Sequence, residues 1–327
     1  MGKASFVVRR TLQLVVTLWA VGTVLFGLFR LMPGDPTSYV VSSQMTQEAR
    51  QQLIASYGLN DPLHIQYIRF LENLVVLNFG QSFHSNQPVT DVIATYLPNT
   101  LVLMLTAFIV AYAIGITLGV LSGWYRGSRF ERSTVITALT ARSVPTFYVG
   151  LIVLWIFGAR LGVIPMSGMT SLGTGGSNTG FFDMVFSMDF VRHLIAPAVV
   201  LGFYYMGYPL LIMRSSMLEV LSEDFIDVCR AKGLKERTIM FKHAARNALL
   251  PIITAAAIAL GYAVGGSVLI ETVFAWPGIG REMVRAVLRR DFPVAQGTFI
   301  VLASTIIFLN FVADLAYGYL DPRVTYD

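Results

Sequence analysis

Long apolar runs constrain the fold of this chain more than any other feature of its sequence. Six runs are long enough to cross a bilayer, because its hydrocarbon core takes about 20 helical residues. The composition agrees, since 55% of the 327 residues are hydrophobic and 13% are charged, whereas about a quarter of a soluble protein is charged. We predict a multi-pass membrane protein with spans at Thr11–Leu31, Asn99–Trp124, Thr134–Leu161, Leu194–Met213, Ala248–Ile270 and Val294–Leu320.

The placement of charge predicts the orientation, since basic residues collect in short cytosolic loops. Three basic residues and no acidic one precede the first span, and the connection Arg214–Arg246 has seven basic and five acidic residues. The connection 32–98 has two basic and five acidic residues. Both termini are therefore predicted to be cytosolic. The connection Glu271–Asp291 disagrees with this orientation, because it carries four arginines on the predicted outer side. The orientation is kept because the other connections agree with it.

The connection between the first two spans has the pattern of three helices. Thr46–Tyr57 is predicted to be helical. Asp61-Pro62 is typical of a helix start and predicts a second helix that runs to about Leu77. A third, short helix is expected to begin after Thr90 and to stop at Pro98.

The chain divides into three regions on this interpretation. Residues 1–31 contain the N-terminus and the first span, 32–98 form a helical region outside the membrane, and 99–327 form the membrane core with a cytosolic loop at 214–247. The glycine-rich stretch Gly162–Gly180 lacks the Gly-Lys-Ser/Thr ending of a phosphate-binding loop. It is predicted to be an external loop.

A charged, helix-capped island interrupts the apolar runs between Ser222 and Pro251. Ser222 suits the N-cap position and acidic residues follow it, while Gly233 suits the left-handed position just after a helix. These signals predict a helix of about three turns, followed by a second, basic helix at Lys235–Arg246. The apolar side chains on one face of the first helix are Phe225, Val228 and Cys229. Polar sequence of this kind between spans indicates a surface that another protein contacts.

The sequence of this island resembles a known family. Asp227-Val-Cys-x3-Gly233 resembles the EAA loop of the membrane-spanning subunits of ABC importers. The generic motif begins with Glu-Ala-Ala, where this chain has Asp227-Val-Cys. The motif ends in Ile-x-Leu-Pro, where this chain has His243-Ala-Ala-Arg246. Arg230–Leu234 and His243–Pro251 look like the permeases of dipeptide, oligopeptide and nickel importers. Further landmarks of that family, in its order and spacing, are Arg30–Pro36, Gly58–Pro62, Gly80–Ser82, Ser143–Phe147, Glu271–Gly280, Arg290–Pro293 and Asp321–Arg323.

The resemblance implies an all-α integral membrane protein with the six-helix architecture of type I ABC importer permeases. The island is then the coupling helix between helices four and five, which docks on a cytosolic ATPase. Phe225 and Cys229 would be buried against that ATPase, and Arg230 and Lys232 would meet its acidic or carbonyl groups. The residues implied in ATPase coupling are Phe225, Asp227, Cys229, Arg230, Ala231, Lys232, Gly233 and Leu234.

The implied complex contains a homologous second permease, two cytosolic ATPase subunits or domains, and an extracytoplasmic solute-binding protein at a prokaryotic cytoplasmic (inner) membrane. ATP and magnesium would bind the ATPases, because this chain has no GxxxxGK[ST] loop. It also lacks HExxH and GxSxG, and its four histidines lack metal-site spacing, so we expect no catalytic residue, cofactor or metal here. Its basic residues lie in short loops between spans, so membrane lipid is an expected partner and nucleic acid is not.

Polar and proline residues in or near the predicted spans are candidates for a translocation pathway or gate. An Arg or Asp at mid-bilayer costs about 3 kcal/mol on insertion scales, and Pro145, Pro209 and Pro251 each free a backbone carbonyl. Interhelical pairing, interfacial placement or a fixed kink is the structural alternative, and both interpretations stay open. Arg30 and Arg160, near the outer ends of spans, are interpreted as anchors. The candidates are Arg142, Pro145, Tyr204, Tyr205, Tyr208, Glu271 and Asp314.

The expected function is ATP-driven import of di- or oligopeptides, with this chain forming half of the translocation pathway. Importers of nickel, glutathione and oligosaccharides share this permease type, so the solute stays open at this stage. A self-sufficient secondary transporter is an alternative of a different class, and it has no need for a docking helix. A membrane scaffold is the third alternative.

Overall fold

The part of the chain described by the computed structural model is helical. It comprises residues 3–31, 61–171, 180–253, 255–256, 259 and 267–320, and within it one isolated antiparallel bridge joins Gln81 and Pro88. The helices are α1 (Lys3–Leu31), α2 (Leu63–Val75), α3 (Val89–Trp124), α4 (Arg129–Ser143), α5 (Thr146–Val153), α6 (Phe181–Val185), α7 (Met188–Tyr205), α8 (Gly207–Val220), α9 (Asp224–Ala231), α10 (Glu236–Thr238), α11 (Ala245–Ala248), α12 (Val268–Val273), α13 (Ile279–Arg289) and α14 (Phe292–Leu320). Two further segments, Leu154–Arg160 and Ile239–Ala244, are π-helical. The predicted all-α class is confirmed for the described residues.

Three helices in the described part are long and apolar enough to cross a membrane. They contain Ser5–Leu31, Val89–Trp124 and Phe292–Leu315, and the count rises to five if each of two bent helix pairs forms one span. The first and last predicted spans are confirmed as helices, since α1 and α14 cover them. The predicted span Ala248–Ile270 lies largely outside the described residues, and the predicted helix Thr46–Tyr57 lies wholly outside them.

The prediction that a separate short helix stops at Pro98 is wrong. α3 begins after Pro88 and runs without a break to Trp124, with Pro98 inside it. Tertiary hydrogen bonds hold both the side chain and the backbone of Asn99, the residue that follows the proline. Asn99 Nδ2 donates to the Pro277 carbonyl at 2.7 Å, and Trp276 Nε1 donates to the Asn99 carbonyl at 3.0 Å.

The predicted span Thr134–Leu161 is not one straight helix. α4 and the helical stretch Thr146–Arg160 are inclined to each other by 102°. The break follows from Pro145, because a residue before proline is disfavoured in the helical region, and Val144 has extended angles of φ −84° and ψ 130°. α7 and α8 bend more gently, by 45°, where Pro209 removes a backbone donor from the first turns of α8.

α3 is the central helix of the bundle, since its residues contribute to all three hydrophobic clusters of the core. It lies very close to α8 along a stripe of glycines. A Cβ atom on Gly115, Gly119 or Gly123 would come within 2.5–2.7 Å of atoms of α8 or the residue before it. Side chains there would force the helices apart, so the close approach of α3 and α8 requires glycine at these positions.

The predicted helix after Pro62 is confirmed as α2, which begins at Leu63 and ends at Val75. α2 packs on the C-terminal half of α1. The Phe26 ring lies 5.3 Å from the Tyr67 ring and 5.4 Å from the Phe70 ring, and the hydroxyls of Thr23 and Tyr67 are 2.7 Å apart. These contacts fix α2 beside α1.

Candidate functional site

The charged island folds into α9, which is shorter than its predicted length. α9 has eight residues, Asp224–Ala231, and Glu223 rather than Ser222 takes the N-cap position. The Ser222 hydroxyl instead donates to the Glu219 carbonyl at 2.7 Å, at the end of α8. The prediction of Ser222 as N-cap is therefore wrong, because its side chain is used to end the preceding helix.

The predicted stop at Gly233 is confirmed. Gly233 has φ +73°, its N–H donates to the Arg230 carbonyl at 2.9 Å, and the Leu234 N–H donates to the Cys229 carbonyl at 3.3 Å. This pair of bonds is the Schellman ending, which needs a left-handed residue and so favours glycine. It fixes the direction in which the chain leaves α9.

The buried face of α9 differs from the predicted apolar stripe. Ile226 is fully buried and Cys229 is 9% exposed, and both belong to the core cluster that contains Ile239 and Met240. Val228 is 51% exposed. The expectation that Cys229 is buried against a partner is therefore corrected, because this side chain already packs inside its own chain.

The opposite face of α9 is open to solvent and carries mixed charge. Asp227, Ala231, Lys232, Gly233 and Leu234 are exposed on or just after the helix, as is Val228. Arg230, from which we expected contacts to a partner, is bound within the chain. Its Nη1 lies 3.3 Å from Asp227 Oδ1 and its Nε lies 3.3 Å from Glu236 Oε1. Phe225 is half-buried at the edge of the core cluster.

The predicted basic helix Lys235–Arg246 is confirmed as a continuous helical stretch, and its geometry is unusual. α10 passes directly into the π-helical segment Ile239–Ala244 and then into α11. π-helical segments are rare in proteins, and those that do occur are often found at functional sites. Here the π-helical segment forms the surface on which α9 packs.

Sequence reasoning missed an ion pair that ties α8, the helix preceding α9, to α4. Arg214 Nε donates to Glu131 Oε1 at 2.8 Å and its Nη2 contacts the same oxygen. Glu131 Oε2 accepts from the Gly127 N–H, and the Ser128 hydroxyl accepts from the Glu131 N–H at 3.1 Å. The Ser-x-x-Glu pattern at Ser128 was the available signal for a capped helix start, but nothing in the sequence indicated Arg214 as the partner.

Some of the pathway candidates lie together at the junction of α7 and α8. The rings of Tyr204 and Tyr205 are 5.2 Å apart, and Tyr208 is 40% exposed. α4 packs against the same junction, because a Cβ atom on Gly207 would lie 3.1 Å from Arg142 Cδ. Arg142, in the last turn of α4, therefore belongs to the same region as the tyrosines, and Pro145 follows as the N-cap of α5.

Two other pathway candidates have structural contacts elsewhere. Asp314 Oδ2 pairs with Arg10 Nη1 at 2.7 Å and joins α14 to α1, as the structural alternative expects. Glu271 is fully buried, and its role in a pathway or gate stays a prediction. It accepts hydrogen bonds from the Thr100 hydroxyl at 2.7 Å and from the Ser267 hydroxyl and the Arg281 N–H at 2.9 Å each. Burial raises the pKa of the Glu271 carboxyl, while these hydrogen bonds oppose the rise.

Comparison with known proteins identifies the family of this chain. The family described as "Binding-protein-dependent transport system inner membrane component" matches residues 115–326, and "Binding-prot-dependent transport system membrane comp, N-term" matches residues 3–104. The di/tripeptide transport system permease protein DppB of Pseudomonas aeruginosa (strain UCBPP-PA14) is 39% identical over 334 residues, with 98% of each chain covered. The oligopeptide transport system permease protein AppB of Bacillus subtilis (strain 168) is 37% identical over 324 residues, with 99% of this chain and 100% of that protein covered. This chain therefore belongs to the family of binding-protein-dependent transport system inner membrane components.

Proposed function

We propose that this chain is the membrane-spanning permease subunit of an ATP-driven importer of di- or oligopeptides. The observation that carries the proposal is α9, which is held to the bundle on one face and exposed on the other. A helix fixed in this way between apolar segments is suited to receive a partner and to pass its movement to the spans.

The proposed mechanism places the ATPase on the exposed face of α9. Val228, Lys232 and Leu234 provide apolar and basic contacts there, while Ile226 and Cys229 hold the helix to its own bundle. ATP and magnesium would be held by the two ATPase subunits. Closure of that pair moves α9 as a rigid element, and the spans rock from an inward-open to an outward-open state.

The proposed setting is a prokaryotic inner membrane, with six spans, both termini and α9 in the cytosol, and residues 32–98 outside the membrane. A homologous second permease supplies the other half of the pathway, and an extracytoplasmic binding protein delivers the solute. Peptide is the proposed solute because the relatives reported above are named as peptide permeases. Arg142 and Tyr204–Tyr208 are the proposed pathway residues, because they gather at one helix junction.

The substitution Gly233→Asp tests the docking role of α9. Nothing lies within 4 Å of a Cβ placed there, so the new carboxylate points to solvent and adds charge to the docking face. Membrane insertion should be unchanged, while ATP hydrolysis no longer drives peptide uptake in proteoliposomes. Gly162→Asp is the matched control, since Gly162 also has positive φ and open space around it. Normal uptake by Gly233→Asp would falsify the docking assignment.

Purification of this chain from its native membrane in mild detergent tests the complex itself. Mass spectrometry should identify a second permease and one or two kinds of ATPase subunit. Recovery of this chain alone, still active in liposomes without ATP, would instead establish a secondary transporter. Binding assays on the copurifying solute-binding protein would separate peptide from nickel, glutathione or oligosaccharide.

A further inference from the structure

A cavity of about 350 Å³ lies between the C-terminal end of α1, α2, the segment that follows α2, and the first turns of α14. Its volume is in the range of small-ligand sites, which is about 300–1,000 Å³. It is far along the chain from α9 and from the tyrosines at the α7–α8 junction. The proposed transport mechanism gives it no role.

The lining of the cavity combines two cations with an aromatic wall. Arg30 and Arg69 contribute guanidinium groups, and Phe29, Phe70, Phe79 and Phe292 contribute rings. Amide side chains, among them Gln296, complete a polar side. This combination suits a ligand that carries an oxyanion next to apolar groups, because guanidinium binds phosphate and carboxylate oxygens in pairs.

The two guanidinium groups differ in how they are neutralised. Arg69 pairs with Asp61. Arg30 lies over the Phe26 ring at 5.6 Å, and among the described residues no carboxylate lies within ion-pair distance of it. Arg30 is therefore the cation in the cavity that lacks a counter-ion within the described part of the chain.

The position of the cavity favours a membrane lipid over a transported solute. α1 is a peripheral helix, since only 6% of its most apolar stretch is buried within the chain. The cavity lies where α1 ends and α14 begins, which is the depth at which lipid head groups meet protein. By the predicted orientation this is the outer side of the membrane, where an arginine at the end of a span reaches the phosphate oxygens of a lipid head group.

We propose that this cavity binds the phosphate head group of an anionic phospholipid, with Arg30 as its principal ligand and the phenylalanine wall against the first part of the acyl chains. A lipid head group and a free phosphate ion both carry the phosphate oxyanion that Arg30 would bind. The aromatic wall and the peripheral position commit the site to a lipid. The proposal rests on the membrane setting and does not depend on which solute is imported.

The test counts the lipids that stay with the protein. The complex containing this chain is reconstituted in vesicles of equal parts phosphatidylglycerol and phosphatidylcholine, extracted again, and examined by native mass spectrometry. The unsubstituted protein should retain phosphatidylglycerol in preference, and Arg30→Gln should reduce that retention about tenfold or more, because a charge-assisted hydrogen bond is lost. Arg160→Gln is the matched control, since Arg160 also lies over an aromatic ring, at 5.1 Å from Trp155.

A second variant keeps the test decisive if Arg30→Gln inserts poorly. Asn73 lines the cavity and is exposed, so Asn73→Trp should fill the cavity while both arginines remain, and should lower lipid retention to the same degree. Equal retention of the two lipids, or unchanged retention in both variants, overturns the proposal. Displacement of the lipid by inorganic phosphate alone would identify a free-anion site and overturn the commitment to lipid.

Discussion

The ion pair between Glu131 and Arg214 gives the sharpest energetic prediction. The side chains are 11% and 30% exposed, and the carboxylate accepts from both the guanidinium and a backbone N–H. Breaking a fully buried pair costs about 3–5 kcal/mol, and a hydrogen bond to a charged group contributes about 1.5–3 kcal/mol. Arg214 can turn partly toward water, so we expect Glu131→Gln to cost about 2 kcal/mol, below the range for a fully buried pair and within the range for one hydrogen bond to a charged group.

This cost should be visible both in stability and in transport. Equilibrium unfolding in mixed micelles measures the free energy of unfolding directly. A loss of about 2 kcal/mol corresponds to about a thirtyfold change in the ratio of folded to unfolded protein. Uptake per ATP hydrolysed should also fall, because α8 leads into α9 and the pair ties α8 to α4. Arg214→Lys keeps the charge but loses the fork of donors, so its effect should be intermediate.

The stability cost of Glu131→Gln is to be compared with the cost of breaking a more exposed ion pair. Asp227 and Arg230, in the predicted cytosolic loop, are 82% and 47% exposed, so Asp227→Asn should cost under about 1 kcal/mol. If Glu131→Gln costs no more than Asp227→Asn, burial does not strengthen the pair and the reasoning is refuted. Exchange of the two charges in a Glu131→Arg, Arg214→Glu double variant should recover part of the loss.

Three further predictions concern packing, pH and accessibility. Gly119→Ala should cost about 1–3 kcal/mol in the same unfolding assay, because its Cβ would lie 2.6 Å from Met213 Cβ, whereas Gly27→Ala, with nothing within 4 Å, should cost nothing measurable. Because burial raises the pKa of Glu271, its contribution to stability is greatest below the ordinary carboxyl range and falls as pH rises through the folded-state pKa. Glu271→Gln should therefore melt with a weaker dependence on pH, and an unchanged dependence contradicts the shift. A membrane-impermeant maleimide should react slowly with Cys229, and quickly with the new thiol of a Val228→Cys variant that also carries Cys229→Ala. Bound ATPase should protect only the thiol at position 228. Rapid labelling of Cys229 would place that side chain on the surface.

The sequence was sufficient for features that depend on local signals. The apolar runs predicted α1 and α14, and the glycine after the charged island predicted where α9 ends. These elements follow from hydropathy and from the left-handed backbone that only glycine adopts readily, at Gly233 with φ +73°. Neither signal depends on the rest of the chain.

The features that the sequence did not predict depend on contacts between distant segments. Glu131 and Arg214 are 83 residues apart in the chain, so no spacing rule connects them. Pro98 was expected to end a helix, but contacts from the segment around Trp276 hold α3 together across it. The face of α9 that is buried was misassigned because Phe225, Ile226, Val228 and Cys229 offer two apolar stripes, and only the π-helical segment beneath decides between them.

The burial of Ile226 and Cys229 has a mechanical consequence. Because these side chains share a core cluster with Ile239–Ala244 and with Met213 and Met217 of α8, α9 has no freedom to swing on its own. A densely packed interior transmits strain and yields little to compression. A force applied to the outer face of α9 should therefore displace α9 and α8 together. Little of that displacement should be lost before it reaches the helix bundle.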